Sequence, residues 1–165
     1  MPATPPPTPA DPHVLQPGHL PTPFTAAEIR DASPRGLTLR LRIETPGRPP
    51  AERMIRFVQV DAEGADRVGW AILADGSDGP ATRTRSTWLE FQGHASFSAA
   101  TTTREAVTLD APMGRLECLR YVTTDGDATT ELWFATAFPG MPIRTVETVG
   151  GQWVETMKML SHEVT

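Results

Sequence analysis

The chain has 165 residues, of which 15 are basic and 20 acidic, for a net charge of −5. These charges are interspersed and include a single lysine, Lys158. No Lys/Arg cluster of the kind that tracks phosphate is present, which excludes nucleic acid and anionic membranes as expected partners. One cysteine, Cys118, leaves no internal disulfide and no all-cysteine metal site. No run approaches the roughly 20 apolar residues of a spanning helix, and the start Met1-Pro2-Ala3-Thr4-Pro5 has neither a basic nor an apolar leader region. The expectation is a soluble protein of the cytoplasm.

Residues 1–23 hold nine prolines and few large apolar side chains. Proline removes backbone donors and biases its predecessor to extended geometry, so this stretch reads as a disordered tail. Residues 24–165 read as one domain, long enough to bury a core. Its entry is a capping box, Thr25-Ala26-Ala27-Glu28, which predicts a short helix stopped by Ser33-Pro34-Arg35-Gly36.

Strands follow. Leu37 to Glu44 alternates Leu37, Leu39, Leu41 and Ile43 with Thr38, Arg40, Arg42 and Glu44, the period of a half-buried antiparallel strand. Met54 to Asp61 and Val68 to Ala74 form a hairpin around Ala62-Glu63-Gly64-Ala65. Asp75 to Pro80 is a turn cluster. Thr87 to Phe97 reads as a short strand running into a loop at Gly93-His94-Ala95, and Val107 with Leu109 as a brief strand. Leu116–Thr123 and Thr130–Ala137 pair around Asp125-Gly126, the strongest hairpin dipeptide. Pro139-Gly140 and Gly150-Gly151 then turn the chain into Ile143–Val149 and Trp153–Leu160. No helical pattern separates these strands, so parallel βαβ units are excluded. The expected class is mainly β: a curved antiparallel sheet, half-barrel or open meander, with one short N-terminal helix.

Catalytic signatures are absent. The four histidines are scattered and form no metal spacing, so neither a metal nor a cofactor is expected. Cys118 lies in phase with Leu116 and Val122 and reads as a small buried hydrophobe. Gly150-Gly151 joins strands, whereas a phosphate cradle needs a strand-to-helix transition. Carboxylates remain, since Glu117 and Glu131 fall on one hairpin where they could share a face, with Glu90 or Asp110 joining them.

The aromatic residues are more suggestive. In Leu132-Trp133-Phe134, as in Met54 to Val60, both strand faces carry large apolar groups. Such a sheet must cover both faces, by a helix, a second sheet or closure around an interior. A filled core and a ligand-holding cavity both satisfy that demand.

The succession Ala111-Pro112-Met113-Gly114-Arg115-Leu116-Glu117-Cys118, Tyr121, Glu131-Leu132-Trp133-Phe134-Ala135 and Phe138-Pro139-Gly140-Met141-Pro142-Ile143 resembles a pattern in uncharacterised bacterial domains. They are similar to the outer-membrane lipoprotein carrier (LolA/LolB-like) superfamily. That resemblance implies an antiparallel half-barrel with a helix over its mouth, here the helix at Thr25 to Asp31. It also implies a concave apolar face able to hold a hydrophobic ligand.

The reading that follows favours a non-enzymatic domain binding a hydrophobic or lipid-like small molecule. Trp70, Phe91, Trp133, Phe134 and Trp153 are the expected lining, with Arg42 or Arg120 (or Arg40) meeting a polar headgroup. The alternatives are an enzyme using strand-borne carboxylates, or Cys118, in the same cavity, and an interaction module that recruits a partner through a sheet edge or the proline tail, or forms a homodimer across the sheet.

Overall fold

In the computed structural model, which describes residues 3, 4 and 10–165, the alternating segment becomes a central strand, β1 (Leu37–Glu44). Leu37, Leu39 and Leu41 are buried and Arg40 is exposed, as the period requires. β2 (Ala51–Val60), β3 (Gly64–Ile72) and β4 (Thr82–Thr87) extend from β1 as one meander. β5 (Thr102–Ala111), β6 (Gly114–Asp125), β7 (Ala128–Ala135), β8 (Arg144–Val149) and β9 (Gln152–Val164) form a second. Pairing of β1 with β9 fuses the two into one nine-stranded antiparallel sheet, ordered β4-β3-β2-β1-β9-β8-β7-β6-β5. The expected mainly β, antiparallel class is the observed one, and the sheet is not closed into a barrel.

The hairpin at Asp125-Gly126 forms between β6 and β7 with Gly126 at φ +62°, the left-handed region that glycine enters without a Cβ penalty. Register shifts interrupt the ladders at Arg40/Leu41, Phe57/Gln59 and Glu147/Thr148. An extra residue at such a bulge bends the strand and increases its twist, which curves the sheet.

The chain leaves the first meander at one sheet edge and begins the second at the other. That connection must cross a face of the sheet, and it does so through a helix. The segment expected as a strand running into a loop is instead α2 (Trp88–Gly93), so two helices stand where one was predicted. Thr87 caps α2 by accepting the Glu90 N–H at 3.1 Å, as Thr25 caps α1 (Ala26–Ala32) by accepting that of Glu28 at 3.2 Å. β4 is a further addition, and β5 is ten residues long where only a brief strand was expected.

Residues 10–23, expected within the tail, are described in contact with the sheet and helices. Leu20 N–H donates to Phe97 O at 2.9 Å, and Tyr121 Oη donates to Pro21 O at 2.6 Å. Thr22 is fully buried. Of the expected tail, residues 1, 2 and 5–9 lie outside the described residues.

Candidate functional site

Residues directly opposite on paired strands share a face. Leu39, Ile55, Leu132, Tyr121 and Phe134 therefore look to one side, the inner face, and Arg40, Met54, Trp70, Arg120 and Trp133 to the other. The two helices and the segment before them cover the inner face. Phe24 meets Phe134 edge-on at 6.5 Å, Phe97 lies 5.7 Å from Tyr121, and Phe91 bridges Trp88 and Phe57 at 5.5 and 6.0 Å. Aromatic pairs at such separations gain beyond their buried area.

A buried amide ties the cover together. Gln92 on α2 accepts the Ala26 N–H at 2.9 Å and donates to Pro12 O at 2.8 Å and to Thr22 Oγ1 at 3.0 Å. Its side chain is 2% exposed, so each of these bonds replaces water that cannot enter. One residue thus joins both helices to the Pro-rich segment.

Between cover and sheet lies a cavity of about 140 Å³. Its walls are the inner-face Leu37, Leu39, Ile55, Phe57, Leu132, Phe134 and Met159, with Ile29 from α1 and Phe91 from α2. The loop Phe138-Pro139-Gly140-Met141-Pro142 closes one side. Its polar lining is sparse: Ser33, His94, His162 and Arg67.

Arg67 is the unusual member. Its guanidinium packs 4.5 Å over the Phe91 ring, and one Nη donates to Ser86 Oγ at 3.0 Å. Nε–H is buried without an acceptor, and no carboxylate among the described residues pairs with this side chain. Burial draws its pKa below the ordinary arginine value, yet a guanidinium stays charged in proteins. The cavity therefore holds one uncompensated cation in an apolar wall. His162 stacks 4.6 Å from Phe138, and desolvation lowers its pKa from 6.5.

Of the residues expected to line an interior, Phe91 and Phe134 do. The others lie on the outer face, spread from β3 to β7. Trp70 donates to Asp78 at 2.8 Å, Trp153 donates to Thr156 at 2.7 Å and is 42% exposed, and Trp133 lies between the guanidiniums of Arg120 and Arg144 at 5.4 and 4.8 Å. Arg42 pairs with Glu44 at 2.9 Å, Arg40 with Glu52, and Arg120 with Glu105 and Glu131. Arg67 and the loop 138–142 are the functional candidates that sequence reasoning passed over. A basic residue beside Phe57 across a hairpin was the only signal for the former.

The expected carboxylate cluster does not form. Glu117 shares the inner-face phase of Leu119 and Tyr121 and accepts from Thr108 at 3.0 Å, whereas Glu131 lies in phase with Trp133 on the outer face. Glu90 is exposed on α2. Alternation forces the separation, because Glu131 faces Val122 on β6 and Val122 is an odd number of residues from Glu117. Cys118 is 2% exposed, and burial, then the charge of Glu117, raise its thiol pKa away from the reactive thiolate.

No protein-family model and no curated protein matches the sequence. Solved structures do match the fold. A protein of YmcC-like fold from Bacteroides fragilis aligns with a TM-score of 0.51 at 7% identity, over 79% of this chain and 97% of the other. MucB aligns with a TM-score of 0.54 at 12% identity, over 82% of this chain and 56% of its own. The chain thus spans little more than half the length of MucB. These likenesses show the fold alone, an open curved antiparallel sheet. Among the described residues no helix is long and apolar enough to cross a membrane.

Proposed function

We propose that the protein is a non-enzymatic binding domain for a small amphiphile, an apolar body with an acidic head. The observation that supports this is the apolar cavity under the helices with Arg67 as its one uncompensated cation. A half-buried cation without a counter-charge and with a buried Nε–H lacking an acceptor is costly, and an anionic headgroup would relieve that cost while apolar burial supplied the remaining affinity. At about 140 Å³ the cavity is smaller than the usual few hundred Å³ of ligand pockets and close to one known to hold benzene. A short acyl segment or a single ring fits it as it stands. A longer chain needs displacement of α1, α2 or the loop 138–142.

Titration calorimetry with straight-chain carboxylic acids of increasing length tests this reading. Each buried methylene contributes about 0.8 kcal/mol, roughly fourfold in affinity. Affinity is expected to climb by that factor per carbon and then level off as the cavity fills, with one acid bound per chain. Arg67→Met, which keeps the aliphatic stem, is expected to erase the preference for an acid over its methyl ester. Absence of saturable binding across the series would remove the proposal, and binding that ignores both the charge and Arg67 would remove its acidic head.

A further inference from the structure

The outer face carries a row of charged side chains away from the cavity. Following the register across the sheet, Glu105, Arg120, Trp133, Arg144, Lys158 and Arg42 stand directly opposite one another on β5, β6, β7, β8, β9 and β1. The ends of this row are neutralised: Arg120 by Glu105 and Glu131, and Arg42 by Glu44. Its middle is not. Arg144 and Lys158 face each other on adjacent strands, and neither pairs with a carboxylate among the described residues.

Like charges directly opposite on a sheet destabilise it, and partial burial makes the cost larger. Both side chains are half-buried, and Arg144 has a buried Nε–H without an acceptor. The Arg144 guanidinium sits over the Trp133 ring, 4.8 Å from its centroid. The two cations also line a groove of about 320 Å³, walled by Leu109, Ala111 and Pro112 from the tip of the β5–β6 hairpin. That tip folds back toward β9 although three strands separate β5 from it. Asp110 lines the same groove and is exposed at its rim, making no ion pair with either cation.

The geometry points to an oxyanion site here, built to take a phosphate or phosphate monoester. A guanidinium held over a ring offers a fork of N–H donors, and an ammonium beside it adds a point charge. Two adjacent positive charges suit a dianionic group, which neutralises the pair where a carboxylate leaves one charge over. The apolar wall contributed by the hairpin tip leaves room for a small substituent on the phosphate.

Heteronuclear NMR titration of the full chain with inorganic phosphate at constant ionic strength tests this, with acetate as the second arm. Phosphate is expected to saturate, shifting amides of residues 109–112, 144 and 158 and leaving the cavity residues unmoved. Acetate is expected to bind at least tenfold more weakly. Arg144→Gln and Lys158→Met are each expected to cost about tenfold in phosphate affinity, the scale of one charged hydrogen bond. Thermal melting guards against a folding artefact. Phosphate should raise the wild-type Tm by mass action. Lys158→Met, freed of its like-charged neighbour, should melt higher than wild type in phosphate-free buffer and need about tenfold more phosphate for the same rise in Tm. Shifts that grow without saturating, shifts spread over all surface arginines, equal binding of acetate, or unaltered affinity in both variants would each overturn the site.

Discussion

The two faces of one sheet both carry large aromatic side chains but use them oppositely. The inner face buries Leu39, Phe57, Tyr121 and Phe134 against helices and keeps one charged group, Arg67, at a cavity wall. On the outer face Trp70 and Trp153 stay near solvent, with indole N–H groups bonded to Asp78 and Thr156, while Trp133 is buried beneath the guanidiniums of Arg120 and Arg144. Neither arrangement follows from hydrophobicity alone. Tryptophan suits a half-exposed surface because its ring is apolar and its N–H needs a partner, whereas phenylalanine asks only to be dry. The difference shows that residue size marks a strand as doubly covered, while the polar atom on the ring helps decide which side stays wet.

The largest effect that would break this contrast is a cavity-creating change. Phe134 is 2% exposed and touches both Phe24 and Tyr121. Phe134→Ala is expected to cost about 3–5 kcal/mol in urea unfolding, the range for a buried aromatic. Trp153→Ala, at the outer surface, is expected to stay within about 0.5 kcal/mol. Comparable losses for the two variants would mean that the outer tryptophans belong to the core after all.

A smaller effect tests whether the cover is one unit. Gln92→Leu keeps much of the volume and strands the Ala26 N–H and Pro12 O, while Thr22 Oγ1 keeps its bond to Phe24 O at 2.9 Å. Leaving buried groups unpaired costs about 1–3 kcal/mol, and the loss should be local. Hydrogen exchange is expected to quicken in residues 10–32 and 88–97 while β1 and β7 keep their protection. Uniform loss across the sheet would show that α1, α2 and the Pro-rich segment do not open as a separate lid.

Much of the sheet was legible because its strands obey local rules. Leu37 to Glu44 alternates without exception, and Asp125-Gly126 demands a tight turn whatever surrounds it. β4 was invisible for a physical reason: Thr82-Arg83-Thr84-Arg85-Ser86-Thr87 has no apolar side chain for a period to act on. It is held by backbone pairing to β3 and by Arg83 and Arg85 on Asp66. Gly64 permits that approach, since a Cβ there would lie 2.3 Å from Ser86 O. The α2 start was written plainly, as Thr87-Trp88-Leu89-Glu90 has the spelling of Thr25-Ala26-Ala27-Glu28, but six residues are too few for a helical period. The facing of β7 could not be read locally, because Leu132 and Phe134 on one side match Trp133 on the other. The crossing from β4 to β5 decides it, by carrying α2 over the side that Phe134 occupies. Arg67 escaped for the same reason, since its role depends on a cover that no alternation within β3 reveals.

The smallest expected effect distinguishes the faces by pH. His162 lines the cavity, stacked on Phe138, and its folded pKa is depressed below 6.5 because the charged imidazole loses water. Above pH 6.5 the ring is neutral in folded and unfolded chains alike, and this residue imposes no penalty. Below 6.5 the unfolded chain takes up the proton first, so stability falls with pH until the folded pKa is reached. Urea midpoints measured at pH 7.5, 6.5 and 5.5 should therefore decline more steeply in wild type than in His162→Gln, with the gap opening only below 6.5. The ion pairs of the outer face are the same in both proteins and cannot produce the difference. Parallel curves for the two proteins would place His162 in water and open the cavity wall that the inner face is built to keep dry.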